Sequence, residues 1–408
     1  MRVYKLVKIT TNRLRLYFLV LKHIENVPER TIFVIESTND LQILRAGISK
    51  VETYLQLQLS SKEVHGFRVL KVHWNENTFI LNSQVTLNRN WKSAFRKPMQ
   101  IWNPEKQDIV YFSSFNSFKL LRAHDFQKIQ KQCKIVTNVY DILPLTNPEW
   151  FKPYTVTPFM NRFEIAYKYS DLLIVNSSFT KREILRFVES NSLFEKSNCK
   201  VDVVHLWDVA ENSNLQQEID SNMFNEIGNY FKSSDPLVIL ISTVEPRKGH
   251  MQVVEAAKVA WAAGAKFNLM FIGQLGWIDK ETFAKFRSFL EEFESSAVWV
   301  STASDELLVH TLKSASLLVS PSLGEGFGLP VAEAIKLSVP VLANSIPIYK
   351  EVFGKQVVLY GQGEKYSTLT SALSDIDSVI EKANDAIKNI PSDRPDTISE
   401  LMRAFGEL

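Results

Sequence analysis

Two series of short β-branched runs, each alternating with amphipathic stretches and set apart by one polar interval, constrain this chain more than any other feature. Short apolar runs with longer helical stretches between them are the pattern of a parallel sheet covered by helices on both faces. The first series has strand-like runs at 31–36, 67–73, 108–113, 134–139 and 171–176. The second has them at 236–242, 266–273, 298–301 and 316–320, with helices expected over 250–263 and 280–292. Between Asp208 and Asp235 the strand rhythm stops in a polar passage containing Glu211-Asn212-Ser213-Asn214, which reads as a connection between domains. The expected organisation is a segment 1–30, an N-terminal domain 31–207, a linker 208–235, a C-terminal domain 236–385 and a tail 386–408. Helices are expected over 366–388 and 397–405, interrupted by Pro391 and Pro395. The fold class is α/β, with two doubly wound Rossmann-like domains facing a central cleft.

Lys and Arg number 47 against 45 Asp and Glu in 408 residues, a net charge of +2 that argues against a nucleic-acid partner. Cys133 and Cys199 are the only cysteines, too few for a disulfide framework, so a reducing, cytoplasmic setting is expected. The longest apolar run near the N-terminus, 16–21, falls far short of the roughly 20 residues that span a bilayer, and no secretion-signal order precedes it. Residues 1–30 carry Arg2, Lys5, Lys8, Arg13, Arg15, Lys22 and Arg30 against Glu25 and Glu29. With Leu14, Phe18 and Leu21 near helical spacing, two readings stay open: a helix resting on an anionic membrane surface at the inner face of the plasma membrane, or one packed on the N-terminal domain.

The most informative stretch is Pro321-Ser322-Leu323-Gly324-Glu325-Gly326-Phe327-Gly328-Leu329-Pro330, between the run 317–320 and a helix expected over 331–336. Three glycines allow a sharp turn that exposes amides, and Pro330 suits a first helical turn, where its missing N–H costs nothing. Such a helix start is a seat for phosphate. Glu325 lies in the loop and Glu333 in the helix, so two carboxylates reach one ligand from different depths. A second strand end, Ser242-Thr243-Val244-Glu245-Pro246-Arg247-Lys248-Gly249-His250, offers adjacent cations for a diphosphate, the fork of Arg247 and the point charge of Lys248.

Glu325 and Glu333, spaced E-x7-E within GEGFGLPVAEA, resemble the signature of the retaining glycosyltransferases of family 4, which have the GT-B fold. The resemblance implies that Glu325 contacts hydroxyls of the transferred sugar and Glu333 holds the donor ribose. The amides of Phe327, Gly328 and Leu329 would bind the donor's sugar and diphosphate. Arg247 and Lys248 match the family's donor-phosphate segment, although many members carry an Arg where this chain has Ser242 or Thr243. Arg45-Ala46-Gly47-Ile48-Ser49-Lys50 resembles the family's first glycine loop, with Gly47 against the donor. Tyr140-Asp141-Ile142-Leu143-Pro144 resembles a segment that often reads His-Asp. Asp141 then has two readings, orienting the acceptor hydroxyl or satisfying local backbone N–H groups. Ser178 in Ser177-Ser178-Phe179-Thr180-Lys181 reads as a helix cap. Glu245 to His250 with Gly273-Gln274-Leu275-Gly276-Trp277 looks like bacterial mannosyl- and rhamnosyltransferases of O-antigen or capsule synthesis.

The only Asp-x-Asp, Asp375-Ile376-Asp377, falls in an expected helix and reads as a solvated face. Seven scattered histidines show no ligand spacing, so no metal and no cofactor are expected. His205 and His250 read as packed or capping residues. The resemblance implies a retaining transfer of a hexose from a nucleotide diphosphate sugar, GDP-mannose favoured, to a glycan or lipid-linked acceptor. A UDP- or dTDP-sugar donor is the alternative within the same fold. A non-catalytic GT-B subunit that stabilises a partner transferase is the alternative of another class.

Overall fold

In the computed structural model of the chain, the residues described are 5–11, 14–20, 31–35, 47–59, 63–64, 67–75, 78–81, 101–102, 108–114, 123–192, 194, 198–209, 231, 233–389, 394 and 396–408. The four runs of the second series fold as the strands expected, and the sheet takes in two more, at 341–344 and 358–360, that lie outside the runs read from the sequence. Strands β12 (Leu237–Ile241), β13 (Asn268–Ile272), β14 (Ala297–Val300), β15 (Leu317–Ser320), β16 (Val341–Asn344) and β17 (Val358–Tyr360) form a wholly parallel sheet in the order β14-β13-β12-β15-β16-β17. Continuous apolar strands such as Asn268–Ile272, buried along their whole length, need cover on both faces. The helices His250–Ala262 and Lys280–Glu292 provide part of it through Val253, Ala257, Phe286 and Phe289. The order reverses between β12 and β15, and ligands of open α/β sheets bind beyond the carboxyl ends of strands at such a reversal. Both motifs singled out in the sequence, 242–250 and 321–330, leave the sheet at that place.

The N-terminal sheet runs β11 (Lys200–Val203), β10 (Leu172–Val175), β9 (Lys134–Asn138), β8 (Ile109–Phe112), β3 (Thr31–Ile35) and β5 (Phe67–Asn75) in parallel. It is then extended antiparallel by β6 (Thr78–Leu81) and β7 (Ile101–Trp102), with β4 (Glu63–Val64) also antiparallel on β5. These short antiparallel additions lie outside the strands read from the sequence, because two- and four-residue runs carry little periodic signal.

Three expectations are corrected. The helix supposed around Leu14, Phe18 and Leu21 is instead a hairpin of β1 (Lys5–Thr11) and β2 (Leu14–Val20), paired from Lys5 with Val20 to Thr11 with Leu14. Leu14, Leu16, Phe18 and Val20 also satisfy a period of two, and β-branched Val7, Ile9, Thr10 and Thr11 favour it; Leu21 lies outside the described residues. The helix 366–388 is broken at Asp375 into Leu369–Ser374 and Ile376–Ala386. Asp375 accepts from the Tyr366 hydroxyl at 3.0 Å at that break. The cap of Ser178–Ser190 is Ser177, whose Oγ accepts from Thr180 N at 3.0 Å; Ser178 is already helical. Most of the linker 208–235 lies outside the described residues.

Several contacts join the two sheets' domains. The helix Thr397–Gly406 returns to the N-terminal domain, where Phe405 meets Tyr111 with ring centroids 5.2 Å apart. Glu400 accepts from His205 N at 2.7 Å and faces its Nδ1 at 3.1 Å. The Glu400 hydrogen bond raises the His205 pKa against the opposing effect of burial. Nearer the cleft, Glu351 accepts from Phe179 N at 3.0 Å and from Arg182 at 2.9 Å.

Candidate active site

The loop after β12 passes through a turn at Pro246–Lys248 and a left-handed Gly249 into the helix His250–Ala262. The loop after β15 ends in a left-handed Gly328, φ 97°, from which the helix Leu329–Lys336 starts. A side chain at Gly249 would put its Cβ 2.7 Å from the Pro321 carbonyl oxygen, so only glycine lets these two loops approach so closely. Gly249→Ala is expected to lower stability by about 1–3 kcal/mol, combining a positive φ of 71° with overpacking. An unchanged melting temperature would contradict that reading.

The two cations of the first loop converge on the glutamate of the second. Lys248 Nζ donates to Glu325 Oε1 at 2.5 Å, and Arg247 donates to Glu325 Oε2 at 3.2 Å and to the Gly324 carbonyl at 2.6 Å. Ser322 Oγ donates to Glu325 Oε1 at 2.7 Å. The side chains of Glu325, Arg247 and Lys248 are only 12%, 14% and 15% exposed. Burial opposes the charge on Glu325, yet Lys248, Arg247 and the Ser322 hydrogen bond outweigh it and hold the pKa at about 2. Burial lowers the Lys248 pKa in spite of Glu325. Burial acts the same way on Arg247, but Glu325, Asp141 and Glu245 overcome it and raise that pKa. Glu245 lies 3.9 Å from Arg247, so two carboxylates balance the two cations.

The N-terminal domain closes over this cluster. Asp141 lies against Gly326, where an added Cβ would be 3.2 Å from Asp141 Oδ2. Its other oxygen accepts from Leu143 N at 3.1 Å, the local bond expected of an Asp before a turn. Burial pushes the Asp141 carboxyl up, with Arg247 opposing. Trp150 covers Gly324 so tightly that a Cβ there would sit 2.6 Å from Cζ3, and the Arg247 guanidinium stands 5.8 Å from the Phe151 ring centre.

Glu333 is buried one helical turn inside Leu329–Lys336 and accepts from Lys50 Nζ at 2.7 Å. Lys50 belongs to the helix Gly47–Gln58, so Gly47 opens the element that reaches Glu333 from the opposite domain. The Phe327 ring packs edge-on to Trp207 and Phe353, with centroids 5.5 and 5.9 Å away, which leaves its backbone amide as the group available to a ligand. Thus Glu325, Arg247, Lys248 and Asp141 form one cluster, and Gly328 and Leu329 begin the helix that carries Glu333. Sequence reasoning gave no role to Ser322, Lys50, Trp150 or Phe151. Ser322 carried a local signal, a hydroxyl three residues before Glu325 in a turn; the others meet the site only through the tertiary fold.

The Gly273-Gln274-Leu275-Gly276 turn lies beside the first loop, with Val244 N donating to the Gln274 carbonyl at 2.9 Å. His250 is buried beside Phe271 and Phe286, and burial brings its pKa down to about 3, with Lys248 adding to the effect. Asp375 and Asp377 are exposed and far along the chain from this cluster. Among the described residues no group of three or more His, Cys, Asp or Glu could hold a metal ion.

Two facing parallel-sheet α/β domains, with the cluster at the switch point of the second, define the two-domain Rossmann-like GT-B architecture. Residues 225–393 match the family Glycosyl transferases group 1. The chain is 26% identical over 344 residues to the serotype-specific mannosyltransferase WbdA of Escherichia coli, across 81% of this chain and 40% of WbdA. It therefore spans about two fifths of that relative's length. It is also 25% identical to the O-antigen chain mannosyltransferase B of Escherichia coli over 54% of this chain and 55% of that protein. Among solved structures, Anabaena HepE in complex with UDP and glucose superposes with a TM-score of 0.58 at 15% identity, covering 93% of this chain and all of HepE. WaaG, a glycosyltransferase involved in lipopolysaccharide biosynthesis, superposes at 0.54 and 14% identity, covering 92% of this chain and 99% of WaaG. The chain is thus GT-B in fold and similar to bacterial O-antigen mannosyltransferases.

Proposed function

We propose that the chain is a retaining glycosyltransferase that moves a hexose, mannose favoured, from a nucleotide diphosphate sugar to a glycan or lipid-linked glycan in bacterial surface polysaccharide synthesis. The observation that carries this reading is the convergence of Arg247 and Lys248 on Glu325 at the carboxyl ends of β12 and β15. Departure of a nucleoside diphosphate builds negative charge on its phosphates, and two preorganised, mostly buried cations offset that charge. The start of the helix Leu329–Lys336 adds its dipole. Glu325 contacts the transferred sugar and Glu333 the ribose. Asp141 orients the acceptor hydroxyl, whose proton passes to the leaving phosphate on the same face, with no protein nucleophile and no metal. Trp150 and Phe151 exclude water that would otherwise hydrolyse the donor.

Mannose as the sugar is supported by the names of the two Escherichia coli relatives. A UDP-sugar is the second reading, favoured by the UDP in the HepE structures. Calorimetric titration with GDP and UDP, followed by a turnover assay with GDP-mannose, tests the proposal. GDP preference with mannose transfer is the expected result; UDP preference would reassign the donor. Binding of neither nucleotide, with other sugar nucleotides also silent, would leave the chain as a non-catalytic GT-B subunit.

The setting proposed is cytoplasmic, at the inner face of the plasma membrane, with the basic segment 1–30 on anionic lipid. Among the described residues no helix is long and apolar enough to cross a membrane. Flotation with anionic liposomes should carry the full chain and release it on deletion of 1–30; equal flotation of both would remove the anchor.

A further inference from the structure

Lys50 and Glu333 make an ion pair across the cleft, from opposite domains and 283 positions apart in sequence. Glu333 is 4% exposed, and a carboxylate so buried requires a partner that supplies hydrogen bonds or charge. The side chain that reaches it is that of Lys50, in the first turn of the helix Gly47–Gln58 and still 26% exposed. One end of this pair is therefore enclosed in the C-terminal domain while the other can turn.

The charge around the cleft gives that freedom a use. Arg247 and Lys248 are already paired with Glu325 and Glu245. A diphosphate diester brings two further negative charges, and Lys50 is a cation from the opposite domain whose carboxylate partner, Glu333, a neutral ligand group can satisfy. Two ribose hydroxyls donating to Glu333 would replace the ammonium there without changing the charge of the carboxylate.

We propose that Lys50 is a donor-binding residue contributed by the N-terminal domain, which passes from Glu333 to the donor diphosphate when the ribose takes its place on Glu333. This rests on the nucleotide-sugar reading above. The exchange couples occupation of the C-terminal domain to a contact from the opposite domain, so that the cleft stays bridged with either partner. No covalent bond changes; one set of hydrogen bonds to Glu333 replaces another.

The ratio of nucleoside diphosphate affinity to nucleoside affinity tests this, measured calorimetrically with GDP and guanosine and in parallel with UDP and uridine. Release of the Glu333 pair affects nucleoside and nucleotide alike and cancels in the ratio, whereas a contact to phosphate does not. Lys50→Met is expected to lower the ratio about tenfold, the scale of one charge-assisted hydrogen bond, and Lys50→Arg to restore it. Glu333→Gln is expected to weaken nucleoside and diphosphate together and to keep the ratio at or above that of the parent. This variant decides the matter if Lys50→Met does not fold. An unchanged ratio in Lys50→Met, or a reduced one in Glu333→Gln, overturns the assignment of Lys50 while the donor reading stands. A parent protein that binds none of GDP, UDP and dTDP overturns the donor reading itself, and Lys50 with it.

Discussion

Glu325→Gln is expected to lower sugar transfer by about a thousandfold while binding GDP no more weakly than the parent. The loss follows from removing the one carboxylate held at the centre of the cluster, on a scale seen for single preorganised charges in active sites. Retained nucleotide binding follows from the same geometry, because Glu325 occupies both Lys248 and Arg247, at 2.5 and 3.2 Å, and competes with phosphate for them. The substitution also leaves two mostly buried cations with less compensation. Its expected cost is about 3 kcal/mol at neutral pH, the usual scale for breaking a buried pair.

Acid titration provides an independent check. The Glu325 pKa is depressed from 4.5 to about 2, so the carboxylate's contribution to stability is complete above pH 4.5 and is lost as pH falls through about 2. That contribution is again about 3 kcal/mol. Thermal melts between pH 6 and pH 2 should show a shallower acid limb in Glu325→Gln than in the parent. Parallel acid limbs would show that the carboxylate is not held by Lys248 and Arg247, and full turnover in the variant would remove Glu325 from the chemistry.

Lys248→Ala is expected to lose both functions, with turnover down by about 10²–10³ and GDP affinity down by at least about tenfold. Lys248 is the cation nearest Glu325, and that carboxylate opposes the lowering of its pKa by burial. Removing it leaves Arg247 as the single remaining cation of the loop, still tied to the Gly324 carbonyl at 2.6 Å and unable to move far toward a ligand. The two substitutions therefore separate along different axes: one loses turnover alone, the other turnover together with nucleotide binding. Parental GDP affinity in Lys248→Ala would exclude the first loop from phosphate recognition.

Much of the second domain was legible in the text of the chain. The helix over 280–292 has the bounds read from sequence, and the strand–loop–helix placement of Glu325 followed from Gly324, Gly326, Gly328 and Pro330. These are local properties, since apolar period, glycine conformation and proline position act within a few residues. The N-terminal hairpin was less legible because its apolar residues fit periods of both two and near four, and pairing of β1 with β2 decides between them. At the break in the second domain's helix, Asp375 accepts from the hydroxyl of Tyr366, nine residues earlier.

By itself the sequence determined which side chains stand at the carboxyl ends of β12 and β15, because each loop is coded contiguously with the strand it leaves. Only the tertiary structure decided what those side chains meet. That Arg247 and Lys248 share one carboxylate 77 or 78 residues away, that Trp150 covers Gly324, and that Lys50 reaches Glu333 are consequences of strand order and domain contact. A charge on one loop carries no record of its partner on another, since Coulomb attraction and burial depend on distance in space and enter only once the sheets are assembled.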